Sequence, residues 1–172
     1  MLKSRKATSD DLQRLSALIN SGYRGEHSKK GWTTEAHFLD GQRTDENLLK
    51  ELIKQPDQWI EVFFEKDPAD FHACVQMKKD GESLYFGMLT VEPLIQARGW
   101  GSQIIKSVET RAMMFGLNSV KLTVLHNRPE LIAYYERRGY APTGLWEKFP
   151  EDPAFGLPKV ELRLLEYKKN LN

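Results

Sequence analysis

The stretch EPLIQARGWGSQIIKSVE, Glu92 to Glu109, places Gly99 and Gly101 one residue apart at the mouth of an amphipathic helix. Glycine is a poor helix former and costly to order, so two together at a helix start need a reason. The first turn of a helix carries backbone N–H groups without intrahelical partners and about half a positive charge, which favours an anion lodged there. Side chains obstruct such an approach. Gly99 and Gly101 remove two Cβ atoms and let the loop from Gln96 fold back, so that the amides from Arg98 to Ser102 can point at a diphosphate, with Arg98 as an added charge. The plainer reading is a tight strand-to-helix turn at Gly99 and close packing at Gly101. Two nucleotide motifs fit poorly: no Gly-Lys-Ser/Thr is present, and Ile104 stands where the dinucleotide fingerprint has its third glycine.

Outward from this stretch, the sequence reads as alternating elements. LKSRKA is a short strand, and TSDDLQRLSALINSGYRG is a helix capped by Thr8 or Ser9, with Leu12, Leu15, Leu18 and Ile19 on one face. Glu26 to Gln42 lacks periodicity and reads as a long surface connection. TDENLLKELIKQ is a second helix, opened by a capping-box-like cluster at Thr44 and stopped by Pro56. QWIEVFFE, FHACVQMK and SLYFGMLTV form an antiparallel meander with an Asp80-Gly81 hairpin turn. A helix from Gly99 to Phe115 follows, apolar at Ile104, Ile105, Val108, Ala112 and Phe115 and ended by Gly116. SVKLTVL is a strand, RPELIAYYERR a helix from Pro129 to Gly139, and VELRLLEY the last strand, while GLWEKFPEDPAFG reads as a loop. The order β-α-α-β-β-β-α-β-α-β predicts a mixed α/β (α+β) sheet with helices on its faces.

At 172 residues the chain fits a single domain, residues 1–172. A net charge of +1 provides no field for nucleic acid or an acidic membrane, and no apolar run is long enough to cross a bilayer. The expectation is a cytoplasmic protein with no nucleic-acid or membrane partner; a homodimer is compatible with it. Cys74, the lone cysteine, lies in a strand-like segment and reads as a small buried thiol. The four His show no metal-ligand spacing, so no metal is expected.

Gln96-Ala-Arg-Gly99-Trp-Gly101, preceded by LTVEP, resembles the Gln/Arg-x-x-Gly-x-Gly/Ala signature of the GNAT superfamily of acyl-CoA-dependent N-acetyltransferases. AYYERRGY, Ala133 to Tyr140, is similar to the second signature of that superfamily, an aromatic-Tyr-x-x-x-Gly-Phe/Tyr helix end. The two signatures together span Leu84 to Tyr140 in the right order. The resemblance implies a GNAT-like fold: a mostly antiparallel sheet whose two parallel strands, SLYFGMLTV and SVKLTVL, splay into a V-shaped cofactor cleft. It implies acetyl-CoA as acetyl donor, with the pantetheine arm along Leu89, Thr90 and Val91 as an added strand and the diphosphate on Gln96, Ala97, Arg98, Gly99, Trp100, Gly101 and Ser102. The family's Asn precedes its motif tyrosine by seven residues; here Arg128 holds that place and Asn127 lies one residue upstream, so either touches the cofactor.

By the same resemblance Tyr135 is the general acid for the leaving thiolate, Tyr134 being a core residue, and a backbone N–H near Val91 is the oxyanion donor. No base stands out; Glu35, Glu92, His37 and His72 are nominees. The acceptor would be a primary amine of a small molecule, amino acid or peptide, read by SGYRGEH, GWTTEAHFLDGQRT and the C-terminal loop. A non-catalytic acyl-CoA-binding module of the same fold is the alternative, since a competent base is not evident.

Overall fold

The computed structural model describes residues 2–171. β1 (Lys3–Lys6) leads through a tight turn at Ser9–Asp11 into α1 (Leu12–Tyr23), which buries Leu12, Leu15, Leu18 and Ile19; Thr8 caps the turn, and Asp11, not Thr8 or Ser9, precedes the helix itself. The segment expected to be irregular contains a short helix, α2 (Gly25–Ser28), and a two-residue strand, β2 (Leu39–Asp40). Neither is long enough to impose a hydrophobic period on the sequence. α3 (Glu46–Ile53) is capped by Asp45, whose carboxylate accepts from the Leu48 N–H at 2.8 Å, and not by Thr44.

β3 (Gln58–Phe64), β4 (Ala73–Asp80) and β5 (Ser83–Val91) form the expected antiparallel meander. α4 (Trp100–Met114) follows, with Gly116 at φ +68° closing it. Phe115, expected on the buried face of α4, is instead 41% exposed at its C-cap, against the edge of Trp59. Next come β6 (Ser119–Leu125), α5 (Pro129–Glu136), β7 (Ala141–Lys148), β8 (Leu157–Pro158) and β9 (Arg163–Asn170).

The main sheet runs β1-β3-β4-β5-β6-β9-β7, and β2 pairs with β8 beside it. The expected order of elements needs correction at this end: Ala141–Lys148, placed partly in a loop, is an edge strand pairing with β9. Every residue of β7 is exposed, so it carries no apolar alternation to read. Pro142 and Gly144 within it also argue against a strand, although both are tolerated at a sheet edge.

Apolar cores lie on both faces. On one, α4 and α5 pack Ile104, Ile105, Val108 and Tyr135 against Val75, Leu84, Phe86 and Val120. On the other, Leu15, Ile19 and Leu49 of α1 and α3 cover Ile60, Val62, Cys74 and Met88.

The sheet is antiparallel except where β5 meets β6, and there it opens. The two strands pair only across Ser83–Tyr85 and Ser119–Lys121, clasped by a 2.7 Å bond between the Ser83 and Ser119 hydroxyls. Beyond that point β6 stays with β9 along its whole length while β5 stays with β4. A β-bulge bends β5: Gly87 opposes Gln76 and Thr90 opposes Cys74, which leaves Met88 and Leu89 facing Val75 alone. Met88 takes φ +47°, and the bulge reverses the alternation, so that Met88 joins the α1 face while Leu89 and Val91 share the face of Phe86.

Candidate active site

The opened edge of β5 is the first wall of the site. The Glu92 N–H donates to the His72 carbonyl on the β4 side, so by strand alternation the backbone groups of Leu89 and Val91 turn to the side that β6 has left. Their carbonyls are met there by the protein itself. The Tyr23 hydroxyl donates to Leu89 O, and Gln96 Nε2 donates to Val91 O at 3.0 Å. The N–H groups of Leu89 and Val91 face the cleft. Thr90 turns the other way, its methyl beneath α1 and its hydroxyl donating to Met88 O at 3.0 Å.

The loop into α4 is the second wall. Ala97 and Gly99 both adopt left-handed backbone, at φ +68° and +83°, and this folds the chain back on the helix start. Open space surrounds Gly99, so its requirement is conformational. Gly101 differs: a side chain there would begin 2.8 Å from the Tyr134 hydroxyl. Gln96 acts as a bracket, donating also to Thr33 Oγ1 at 2.8 Å and accepting from the Trp32 N–H at 2.9 Å. Buried Arg128 holds the same two residues from the other side through the Trp32 and Thr33 carbonyls, each at 3.3 Å, and pairs with Glu130 at 2.6 Å. The cation beside the first turn of α4 is Arg138, which donates to Ser102 Oγ at 2.6 Å and lies 3.5 Å from the Tyr134 ring centre. Arg98 is exposed and has no ion-pair partner among the described residues.

These walls enclose two cavities, of about 220 and 550 Å³. The smaller is bounded by the Gln96–Ser102 loop, Trp32, Tyr134 and Arg138; the larger opens between the splayed strands toward Glu35, Arg43, Phe149 and Phe155. Tyr23, Leu89, Leu131 and Tyr135 line both and form their junction. Tyr135 is buried, and its hydroxyl has no hydrogen-bond partner among the described residues. Burial holds its phenol well above the usual range, reinforced by the neighbouring tyrosines.

Of the nominated bases only Glu35 lines a cavity. Its carboxylate lies 3.3 Å from Arg24, and burial raises its pKa against the opposing pull of Arg24, Arg43 and Arg128. His72 and Glu92 pair with each other at 2.7 Å away from both cavities, and His37 is exposed against Phe38. Cys74 is fully buried with its thiol pushed up to about 12, which leaves no thiolate for nucleophilic attack.

Leu89, Val91, Gln96, Ala97, Gly99, Trp100, Gly101, Ser102 and Tyr135 therefore converge on the smaller cavity, while Thr90, Arg98, Asn127 and Arg128 do not line it. Asn127 keeps a buried Oδ1 without a partner among the described residues. Tyr134, expected as core, is half-buried on the cavity wall between Trp32 and Arg138. Tyr23, Trp32 and Arg138 were not assigned to the cofactor cleft by sequence. Tyr23 and Trp32 lie in the segments expected to read the acceptor and Arg138 inside the second signature, and it is contacts between distant segments that bring them to the smaller cavity.

The family model for the acetyltransferase (GNAT) family matches residues 17–140. The chain belongs to the GNAT acetyltransferase family. It is accordingly an acyl-CoA-dependent N-acetyltransferase acting on amines, with acetyl-CoA as its acetyl donor. The fold is similar to that of the ribosomal-protein-S18-alanine N-acetyltransferase from Escherichia coli, with a TM-score of 0.71 at 11% identity over 100% of this chain and 95% of that one. Mutant forms of the spermidine/spermine N-acetyltransferase from Vibrio cholerae match with a TM-score of 0.65 at 15% identity, over 99% and 95% of the two chains. A chain from Bacillus anthracis str. Ames, solved in complex with acetyl coenzyme A, matches with a TM-score of 0.64 at 14% identity, over 99% and 100%. Among the described residues, no helix is long and apolar enough to cross a membrane.

Proposed function

We propose that this single domain transfers the acetyl group of acetyl-CoA to the primary amine of a small acceptor, with the thioester at the junction of the two cavities. The observation that carries this reading is Tyr135, buried, lining both cavities, and with a hydroxyl that makes no hydrogen bond among the described residues. The smaller cavity suits the cofactor: the turned-back loop offers amides at the start of a fifteen-residue helix, Arg138 adds charge, and Leu89 and Val91 offer N–H groups to an extended chain. Arg128, tied to the Trp32–Thr33 loop, positions that wall, and Asn127 retains the free oxygen for a cofactor contact.

The acceptor arrives as an ammonium and must lose a proton before its nitrogen can attack; Glu35, held with a raised pKa, accepts it directly or through water. The N–C bond then forms as the carbonyl oxygen gains charge opposite the N–H of Leu89, the β5 residue that lines both cavities, which leaves the Val91 N–H to the cofactor arm. The C–S bond breaks, sulfur leaves with the Tyr135 proton, and Tyr135 regains a proton from the new amide nitrogen. The products are the acetamide, the thiol and one proton. The presence of Glu35 in the larger cavity favours this reading over a non-catalytic acyl-CoA-binding module.

The test is a thiol-release assay over a panel of amines. Turnover is expected to fall on Tyr135→Phe by about 100-fold in kcat with acetyl-CoA affinity retained. Unchanged kcat in that variant would remove Tyr135 from the chemistry, and tight acetyl-CoA binding with no amine used would favour the binding module.

A further inference from the structure

The larger cavity holds an unusual balance of charge. Of its carboxylates, Glu35 is 3.3 Å from Arg24 and Glu51 is 2.7 Å from Lys54, so each already has a cation. Glu147 lies on the exposed edge strand β7. Arg43 is different. Its guanidinium lines the cavity, half-buried, and makes no hydrogen bond or ion pair among the described residues. Its backbone, in contrast, is fixed. The Asn20 side-chain oxygen accepts from the Arg43 and Thr44 N–H groups at 2.7 and 3.2 Å, and the Asn20 amide donates to Thr44 O at 2.9 Å. The guanidinium sits 5.9 Å from the ring centre of Tyr23, which lines the junction where acetyl transfer takes place on the reading above.

A cation in a partly desolvated wall that feels Glu35 only at a distance, with no ion pair of its own among the described residues, would gain from an anionic ligand group, and guanidinium matches a carboxylate with two parallel bonds. Glu35 is tied to the same residue, its N–H donating to the Tyr23 carbonyl at 2.9 Å, so a carboxylate and the Arg43 guanidinium line one cavity around Tyr23. A plain amine or a polyamine would leave Arg43 unmatched and set a second positive charge against it.

Resting on the acetyltransferase reading, we infer that the acceptor is a small amino-acid-like amine, its acid group taken by Arg43 and its amine presented at Glu35. Arg43 is then the residue that sets acceptor specificity. Arg24 serves as a positioning residue: buried, it holds Glu35 and donates to Phe155 O at 3.0 Å.

The test compares thiol release from acetyl-CoA with the common L-amino acids and with their α-carboxamides. The amide keeps the size and has the less basic, more readily deprotonated amine, so intrinsic reactivity favours it. The wild-type chain is nevertheless expected to use at least one free acid with kcat/KM about ten-fold or more above that of its amide. Arg43→Gln should bring this ratio close to one by raising the acceptor KM, with acetyl-CoA affinity unchanged by calorimetry, and Arg43→Lys should keep part of the preference. Equal or better use of the amides by the wild type, or a ratio untouched by Arg43→Gln, would overturn the assignment. So would turnover confined to polyamines or peptides, with the acetyltransferase reading left standing. Loss of acetyl-CoA binding by the wild-type chain would take both down.

Discussion

On the proposed mechanism Tyr135, at the junction, and Glu35, in the larger cavity, take opposite tasks, and burial shifts both. A phenol held above its usual range keeps its proton through neutral pH, as an acid for a leaving thiolate must. A carboxyl raised by burial is a stronger base once ionised. The base must be deprotonated, so kcat/KM should rise with pH through the Glu35 pKa, which lies above the usual carboxyl value, and plateau beyond it. In Glu35→Gln that acid limb should vanish along with about 100-fold of the rate, as a pH-rate profile would reveal. An unchanged acid limb in Glu35→Gln would assign it to another group. At this scale the sequence is half legible. Gly99, Gly101 and Tyr135 sit in short signatures whose spacing exposes them, and a φ of +83° at Gly99 accounts for the glycine there. Tyr23 and Arg43 lie in segments marked for the acceptor and Arg138 inside the second signature, yet no local pattern singles out these three residues, which reach the site from separate segments.

Between elements, the contact that sets the junction is α1 against β5. A side chain at Gly22 would begin 2.5 Å from the Thr90 methyl, inside a buried interface, so the helix lies as close as a glycine permits. That closeness delivers Tyr23 to the Leu89 carbonyl. Gly22→Ala should therefore push α1 outward and cost about 1–3 kcal/mol in urea unfolding. It should also weaken acetyl-CoA binding, because Tyr23 lines both cavities; a Gly22→Ala chain with unaltered stability would refute the tight contact. β5, α4 and β6 were readable because each is long and presents an apolar face to a core. β2 and β8, at two residues each, and β7, exposed throughout, give periodicity nothing to act on.

At the level of the whole molecule, function follows from one interruption of an otherwise continuous sheet. The β5–β6 pairing ends at Tyr85 and Lys121, and both cavities and the junction tyrosines occupy the space the two strands vacate. The mixed sheet and its helical layers could be foreseen from element order and the two signatures. The strand order and the edge position of β7 could not, since pairing partners are set by contacts across the whole chain. The central claim is that acetyl-CoA lies in this opening with its diphosphate on the start of α4. A titration of the isotopically labelled chain with acetyl-CoA, followed through its backbone amide resonances, tests it most directly. Resonances of Leu89, Val91 and Gly99 to Ser102 are expected to shift together and saturably, with those of exposed β7 unmoved; saturable binding that leaves the Gly99–Ser102 amides in place would contradict it.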